Sequence, residues 1–274
     1  MKQSVFAIAP LAILTVLLIV SPLGAQEKKV GLCHRTGNGG YHLIPVSVNA
    51  EPAHRAHGDA APGEMVPGDP YLRFDAACRV SATFDPVADY DAGWLSGSNP
   101  NGVWRYGWSS TLGSPLTLYS QNYTTTQDCF ASTYRAWNDP SNDLGFTPAV
   151  IKNIGPTCSN GNVDIPTGVL TQHFGGLSGT DYAHVVFTAP FAGSYTVSIT
   201  FTGRQNGLNS DVNVRVNGTL VLTGLMTANL QTITYSTTLA LSAGDTIDFA
   251  TGPGTFGGLH PGHVGLSGTI VGVP

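Results

Sequence analysis

Charge is scarce in this chain. Only 11% of the 274 residues are Asp, Glu, Lys or Arg, the twelve basic residues form no cluster, and the formal net charge is -5. A polyanion needs a concentrated basic patch, so nucleic acid is not an expected partner. Glutamate is scarcer still: beyond the first 25 residues only Glu27, Glu51 and Glu64 occur, so the paired carboxylates of a glycoside hydrolase would have to be Asp. No GxSxG, HExxH or P-loop is present, and no spacing of Ser, His and Asp marks a triad. Catalysis is therefore not expected, and a hydrolase built on Asp and His is the last of the alternatives. Internal repeats are missing, as is any second long apolar run, so no membrane span is expected once the leader is removed.

What the chain does have begins with that leader. Lys2, the apolar run Val5 to Val20 and the small-residue stretch Ser21-Pro22-Leu23-Gly24-Ala25 form the three regions of a secretory signal, with cleavage expected after Ala25. A retained anchor is the competing reading, but the run is short for a span and helix breakers follow it. The position directly after the cleavage point is not Cys, so lipid attachment there is not indicated. The expected location is outside the cytoplasm, extracellular or periplasmic.

In that compartment four Cys suggest two disulfides, with three connectivities open. Neighbour pairing is the expectation, Cys33 with Cys78 and Cys129 with Cys158. Each closes a loop worth about 3.5–4 kcal/mol in the chain-entropy picture. The rival reading makes the Cys33 thiolate a metal ligand beside His34.

Low charge with abundant Gly, Ser, Thr and Asn suits strands and turns. From Ala183 to Gly252 the segments AHVVFTAP, GSYTVSITFTG, DVNVRVNG, TLVLTG, TITYSTTLAL and GDTIDFATG alternate apolar and polar residues. Val212, Val214 and Val216 fall on one side of a strand while Asn213, Arg215 and Asn217 fall on the other. With earlier candidates such as RVSATF and PLTLYS, the pattern predicts an all-β chain, a two-sheet jelly-roll sandwich over residues 79–274. Residues 26–78 differ in texture and read as a small disulfide-tied Cys/His-rich module, leaving 1–25 as the signal. The only helix expected is a short piece from Ser132 to Trp137, stopped by Pro140.

Several residue sets carry candidate chemistry. His34, His42, His54, His57 and Asp59 offer imidazoles and one carboxylate for zinc or another borderline cation, against the plainer reading of turn caps in a poorly cored module. Trp94, Trp104, Tyr106, Trp108, Tyr134 and Trp137 are the candidate sugar platforms, because a flat ring stacks on a pyranose. Trp104, Tyr106 and Trp108 share one strand face and read more naturally as core, whereas Trp137, beside NDPSND in a loop, is expected to be exposed. Asn138, Asp139, Asn142 and Asp143 supply hard oxygens suited to calcium, against an ordinary Asx-turn loop. Asp89 and Asp91 form a second acidic pair.

Two stretches bear resemblances. CHRTG, YHLIPVSVNA and HRAHGD resemble a Cys/His segment recurrent in secreted bacterial proteins, which carries no assigned activity. The succession NPNGVWRYGW, VVFTAPFAGSYTVSITFTG, DVNVRVNG and LALSAGDTIDFATGPG resembles a family of bacterial secreted jelly-roll domains. Some members bear sorting tails and others are appended to carbohydrate-active or surface proteins. That resemblance implies non-catalytic binding of carbohydrate or another ligand at the cell exterior. The chain departs from it at GTIVGVP, where no sorting tail is seen, and at GLHPGHVGLSGTI, where His260 and His263 stand in place of an acid. The expected partner is thus an extracellular glycan or surface polymer, with calcium or zinc as candidate cofactors. The alternative is a structural or adhesive component that associates with itself.

Overall fold

The computed structural model describes residues 27–126, 132–255, 257 and 262–274. The signal segment, Cys129 and His260 lie outside them. The described chain opens with a hairpin of β1 (Lys29–Arg35) and β2 (Tyr41–Ser47), then helix α1 (Glu51–Ala56), β3 (Arg73–Phe74), β4 (Val80–Phe84) and helix α2 (Pro86–Ser96). Next come β5 (Trp104–Ser109), β6 (Thr117–Leu118), β7 (Gln121–Thr125), β8 (Tyr134–Asn138), a 3-10 turn (Pro140–Asn142), β9 (Ala149–Asn153), β10 (Cys158–Ser159), β11 (Asp164–Ile165) and β12 (Leu170–His173). The regular strands follow: β13 (Tyr182–Thr188), β14 (Gly193–Gly203), β15 (Ser210–Val216), β16 (Thr219–Met226), β17 (Thr232–Leu241), β18 (Thr246–Gly252) and β19 (Val264–Val273).

Two antiparallel sheets face each other. The first runs β17-β14-β19-β12-β9-β8-β7, with β4 pairing onto β19 and β3 onto β4, and the second runs β16-β15-β18-β13-β5-β6. Period-two burial builds the space between them. Tyr195, Val197, Ile199 and Phe201 of β14 meet Val185, Phe187, Val212, Val214 and Phe249 of the second sheet, all of them buried. Each such side chain stabilises the fold by about 1.5–3 kcal/mol relative to leaving it in water. The alternating segments from Ala183 to Gly252 therefore fold as expected, into an all-β sandwich of jelly-roll type. Asn217 and Gly218 turn β15 into β16 with φ of 48° and 81°, the positive values a two-residue type I′ hairpin demands.

The disulfide expected between Cys33 and Cys78 is present, with Cα atoms 5.3 Å apart. Around it the core is continuous: Cys33, Ala60, Val66, Leu72, Phe74 and Cys78 belong to the same hydrophobic cluster as Phe84, Trp104 and Phe187. Cys158 is buried in a second, smaller cluster with Tyr134, Phe146, Ile151 and Ile165.

The helix expected over Ser132 to Trp137 is not formed. Tyr134–Asn138 is a strand paired with β7 and β9. Its two faces lie in different clusters, Tyr134 and Ala136 in the smaller one and Trp137 in the main core. The longest helix among the described residues is α2 instead. Asp85 caps it by accepting from the Val87 and Ala88 amides, Pro86 occupies its first turn, and Gly97 closes it in the left-handed conformation at φ 66°. No helix among the described residues is long and apolar enough to cross a membrane.

Candidate functional site

An open cleft of about 290 Å³ lies where residues 65–73 meet α2 and the turn before β5. Asp69 shapes its first wall by accepting from the amides of Tyr71 (2.8 Å) and Leu72 (2.9 Å). Tyr71 is half-buried there, its ring 5.9 Å from that of Phe84. A second part of the lining comes from a turn in which Asn101 and Trp104 exchange backbone hydrogen bonds. Helix α2 contributes Asp89 to the lining, whose Oδ2 accepts from Trp104 Nε1 at 2.9 Å and from the Asp85 amide at 3.1 Å. Arg73, exposed on β3, completes the rim. A phenol ring thus stands beside a carboxylate, a guanidinium and an amide, the mixture that holds a sugar's apolar face and its hydroxyls together.

Of the six aromatic residues picked from the sequence, Trp104 lines this cleft. It presents only an edge, since it is 2% exposed. Trp137, expected to be exposed in a loop, is instead buried on β8 at 2% exposure, stacked on Tyr106 at 6.4 Å between centroids. Tyr106 and Tyr134 are buried as well. Trp94 and Trp108 are half-buried: Trp94 donates from Nε1 to the Ala136 carbonyl and lies 4.8 Å from the Arg135 guanidinium, and Trp108 donates to Asp139. Tyr71, Arg73 and Asn101 were not among the sequence candidates for ligand contact.

The imidazole set narrows. His34 on β1 and His54 on α1 both place Nδ1 against Oδ2 of Asp59, at 2.7 and 2.8 Å, while Oδ1 accepts from the Arg35 amide at 3.0 Å. Asp59 is 2% exposed. Burial alone would raise its carboxyl pKa, but the bonds from His34, the Arg35 backbone and His54 outweigh that and hold it below the ordinary range. His42 faces His34 across the hairpin yet is exposed, and His57 is exposed at the end of α1. Neither joins the group whose ligand atoms lie within 4.8 Å of one another.

The Asn138 to Asp143 segment folds as a capped turn. Asp139 Oδ1 accepts from the amide (3.0 Å) and hydroxyl (2.8 Å) of Ser141 and its Oδ2 accepts from Trp108; burial pushes its carboxyl up, and these donors more than offset it. Asn138 Nδ2 donates to Asp143 at 3.2 Å, and Asn142 donates to Asp181 at 2.8 Å. Those oxygens hold the loop to its neighbours. Asp91, the partner of Asp89 in sequence, is used elsewhere, in an ion pair with Lys152 and Arg135. His263 is buried beside His173, ring centroids 4.5 Å apart.

A Ser–His–Asp line that spacing did not reveal crosses the second sheet. His184 Nε2 is 2.8 Å from Ser109 Oγ and its Nδ1 is 2.8 Å from Asp248 Oδ1. Ser109 is 1% exposed and its hydroxyl also lies 2.8 Å from the Thr111 carbonyl. A serine so enclosed presents no nucleophile to solvent; the line ties β5, β13 and β18 together on their outer face.

The class these features define is an antiparallel β-sandwich of jelly-roll type with a stapled N-terminal segment and a mixed aromatic and polar cleft. No family model matches the sequence, and no curated protein does. Over part of its length the chain is similar to solved β structures. They include a family 35 carbohydrate-binding module from Clostridium thermocellum (20% identity, 37% of this chain and 75% of that one, TM-score 0.25). A second is CBM51 from Clostridium perfringens GH95, solved with methyl-galactose (9% identity, 42% and 83%, TM-score 0.29). A third is the K3 cleaved adhesin domain of Lys-gingipain from Porphyromonas gingivalis (13% identity, 41% and 86%, TM-score 0.26). Each covers less than half of this chain.

Proposed function

We propose that this chain is an exported, non-catalytic β-sandwich protein that binds carbohydrate in the cleft between residues 65–73 and α2. The observation that carries the reading is the juxtaposition of Tyr71 with Asp89, Arg73 and Asn101 around one open depression. Stacking from Tyr71 would supply affinity, and the three polar side chains would supply orientation. The signal-like segment at residues 1–25 supports delivery to the cell exterior. The test is a glycan array with and without calcium, followed by calorimetry on the strongest hit. Tyr71→Ala is expected to weaken binding at least tenfold, about 1.4 kcal/mol. Failure of every surface polysaccharide to bind, in either condition, overturns the reading.

A second reading, self-association, draws on the edge strand β16, where Leu220 and Val221 are 48% and 45% exposed. An unpaired strand edge bearing apolar side chains is a template for another chain. Light scattering that gives a concentration-independent monomer removes it.

A further inference from the structure

We propose that His34, His54 and Asp59 form a binding site for a borderline divalent cation such as zinc, held by three protein donors with one coordination position open to solvent. The three donor atoms come from three separate pieces of chain, β1, α1 and the loop after α1, and lie within 4.8 Å of one another. Their chemistry selects the ion. Two imidazole nitrogens and one carboxylate suit zinc, whereas calcium asks for about six to eight oxygens.

The surroundings fix the ligands in place. The Cys33 amide donates to the Ala60 carbonyl at 2.8 Å and the Cys33–Cys78 disulfide anchors the same strand, so β1 and the Asp59 loop are held side by side. The Asp59 amide donates to the His54 carbonyl at 3.2 Å, which closes the loop back onto α1. Asp59 is further oriented by the Arg35 amide, leaving Oδ2 to face both rings. Metal–nitrogen bonds of about 2.0–2.1 Å put tetrahedral donors roughly 3.3 Å apart, so seating an ion moves each ring back from Asp59 by about half an ångström. The rings have room for that: the His34 and His54 side chains are 42% and 28% exposed. The same exposure gives the ion an entry path and leaves a place for water or a ligand oxygen. None of these residues lines the cleft, so the proposal stands independently of carbohydrate binding.

The rival reading is a hydrogen-bonded cap that binds no cation, and direct titration separates it from a metal site. Zinc is titrated into the full exported chain, disulfide intact, at neutral pH by calorimetry, with stoichiometry taken from equilibrium dialysis. One zinc per chain is expected. Loss of an orienting partner costs about 10–100-fold in affinity, so His34→Ala and His54→Ala, which remove ligands, should each cost roughly 100-fold or more. His57→Ala should leave binding unchanged. Both substituted positions are partly exposed, and near-ultraviolet circular dichroism checks that each variant is folded. A folded wild-type protein that binds no zinc overturns the proposal, as does undiminished binding by a folded His34→Ala/His54→Ala variant.

Discussion

The strands β13 to β18 and the stretch from β1 to the start of β5 use their polar side chains in opposite ways. In the regular strands long ladders take most of the backbone groups, and hydroxyls on the outer face are left to pair with one another, as Thr200 does with Thr234 at 2.9 Å and Thr196 with Thr238 at 3.3 Å. In the earlier stretch, beyond the β1–β2 hairpin, the ladders are short and side chains take over the work of holding backbone amides. Asp59 takes the Arg35 amide, Glu64 that of Ala61, Asp69 those of Tyr71 and Leu72, Asp75 those of Ala77 and Arg79, and Asp85 those of Val87 and Ala88. Polar groups pinned in this way sit at fixed positions along this stretch of short elements and turns. That is where the cleft and the imidazole pair are found, while the regular sheets present a nearly uncharged scaffold.

If the irregular stretch depends on specific ties, cutting its covalent one should have the largest effect. Cys33 and Cys78 are 45 residues apart, a loop for which the chain-entropy model gives about 4 kcal/mol. Replacing both by Ser is expected to lower the unfolding free energy by about that amount in urea melts. Because the hydrophobic cluster runs from Cys33 through Phe84 to Phe187, the loss should appear in the sandwich transition. Two separated transitions, the later one unshifted, would mean that the front stretch is merely attached to the sandwich and that the contrast is one between independent units.

A middling effect is expected at the junction, where Asp91 of α2 pairs with Lys152 Nζ (2.6 Å) and Arg135 Nη1 (2.7 Å) on the first sheet. Burial raises the Asp91 carboxyl, but the bonds from Lys152 and then Arg135 overcome it and leave the folded pKa lowered. The unfolded chain therefore takes up this proton first as acid is added. The clamp is at full strength above the ordinary carboxylate value of about 3.9 and is lost as pH falls through the lower folded value. The Asp91 side chain is 32% exposed, so solvent screening holds its worth to about 1 kcal/mol. Asp91→Asn should flatten the acid limb of the stability curve below about pH 4 by up to that amount; an unchanged limb would show that α2 is held by its other ties, among them Tyr90, Trp94 and the bond from Lys152 to the Val87 carbonyl.

The same division governs what could be read from residues alone. Strands β14 and β17 were legible because one face is buried and the other wet, which leaves a period of two in the sequence, and β13, β15 and β18, covered on both faces, still alternate apolar with polar residues in part. Strand β8 was not, because Tyr134 and Trp137 are buried on opposite faces and no alternation survives. Helix α2 left a signal that went unused: Asp85-Pro86 at one end and Gly97 at the other are a cap, a first-turn proline and a terminator. The His34, His54 and Asp59 set was visible as a group because its members lie within 25 residues of one another, though not which of five would converge. The cleft was hidden, since Tyr71, Asp89 and Asn101 come from stretches with no shared motif. So was the line from Ser109 to His184 and Asp248, whose members are 75 and 64 residues apart.

The smallest expected effect on stability falls where the carbohydrate reading expects a large one on binding. Arg73 is exposed on β3, and its guanidinium makes a long 3.3 Å contact from Nη1 to the Gly63 carbonyl. Arg73→Ala should shift the unfolding free energy by no more than about 0.5 kcal/mol, as surface changes away from buried partners do. If the guanidinium bonds sugar hydroxyls at the rim of the cleft, the same variant should lose glycan affinity about tenfold with its melting temperature unmoved. Affinity and stability falling together would place Arg73 among the residues that hold the 63–73 turn in shape. Affinity left intact would move the sugar contacts to Tyr71 and Asp89, which line the same depression.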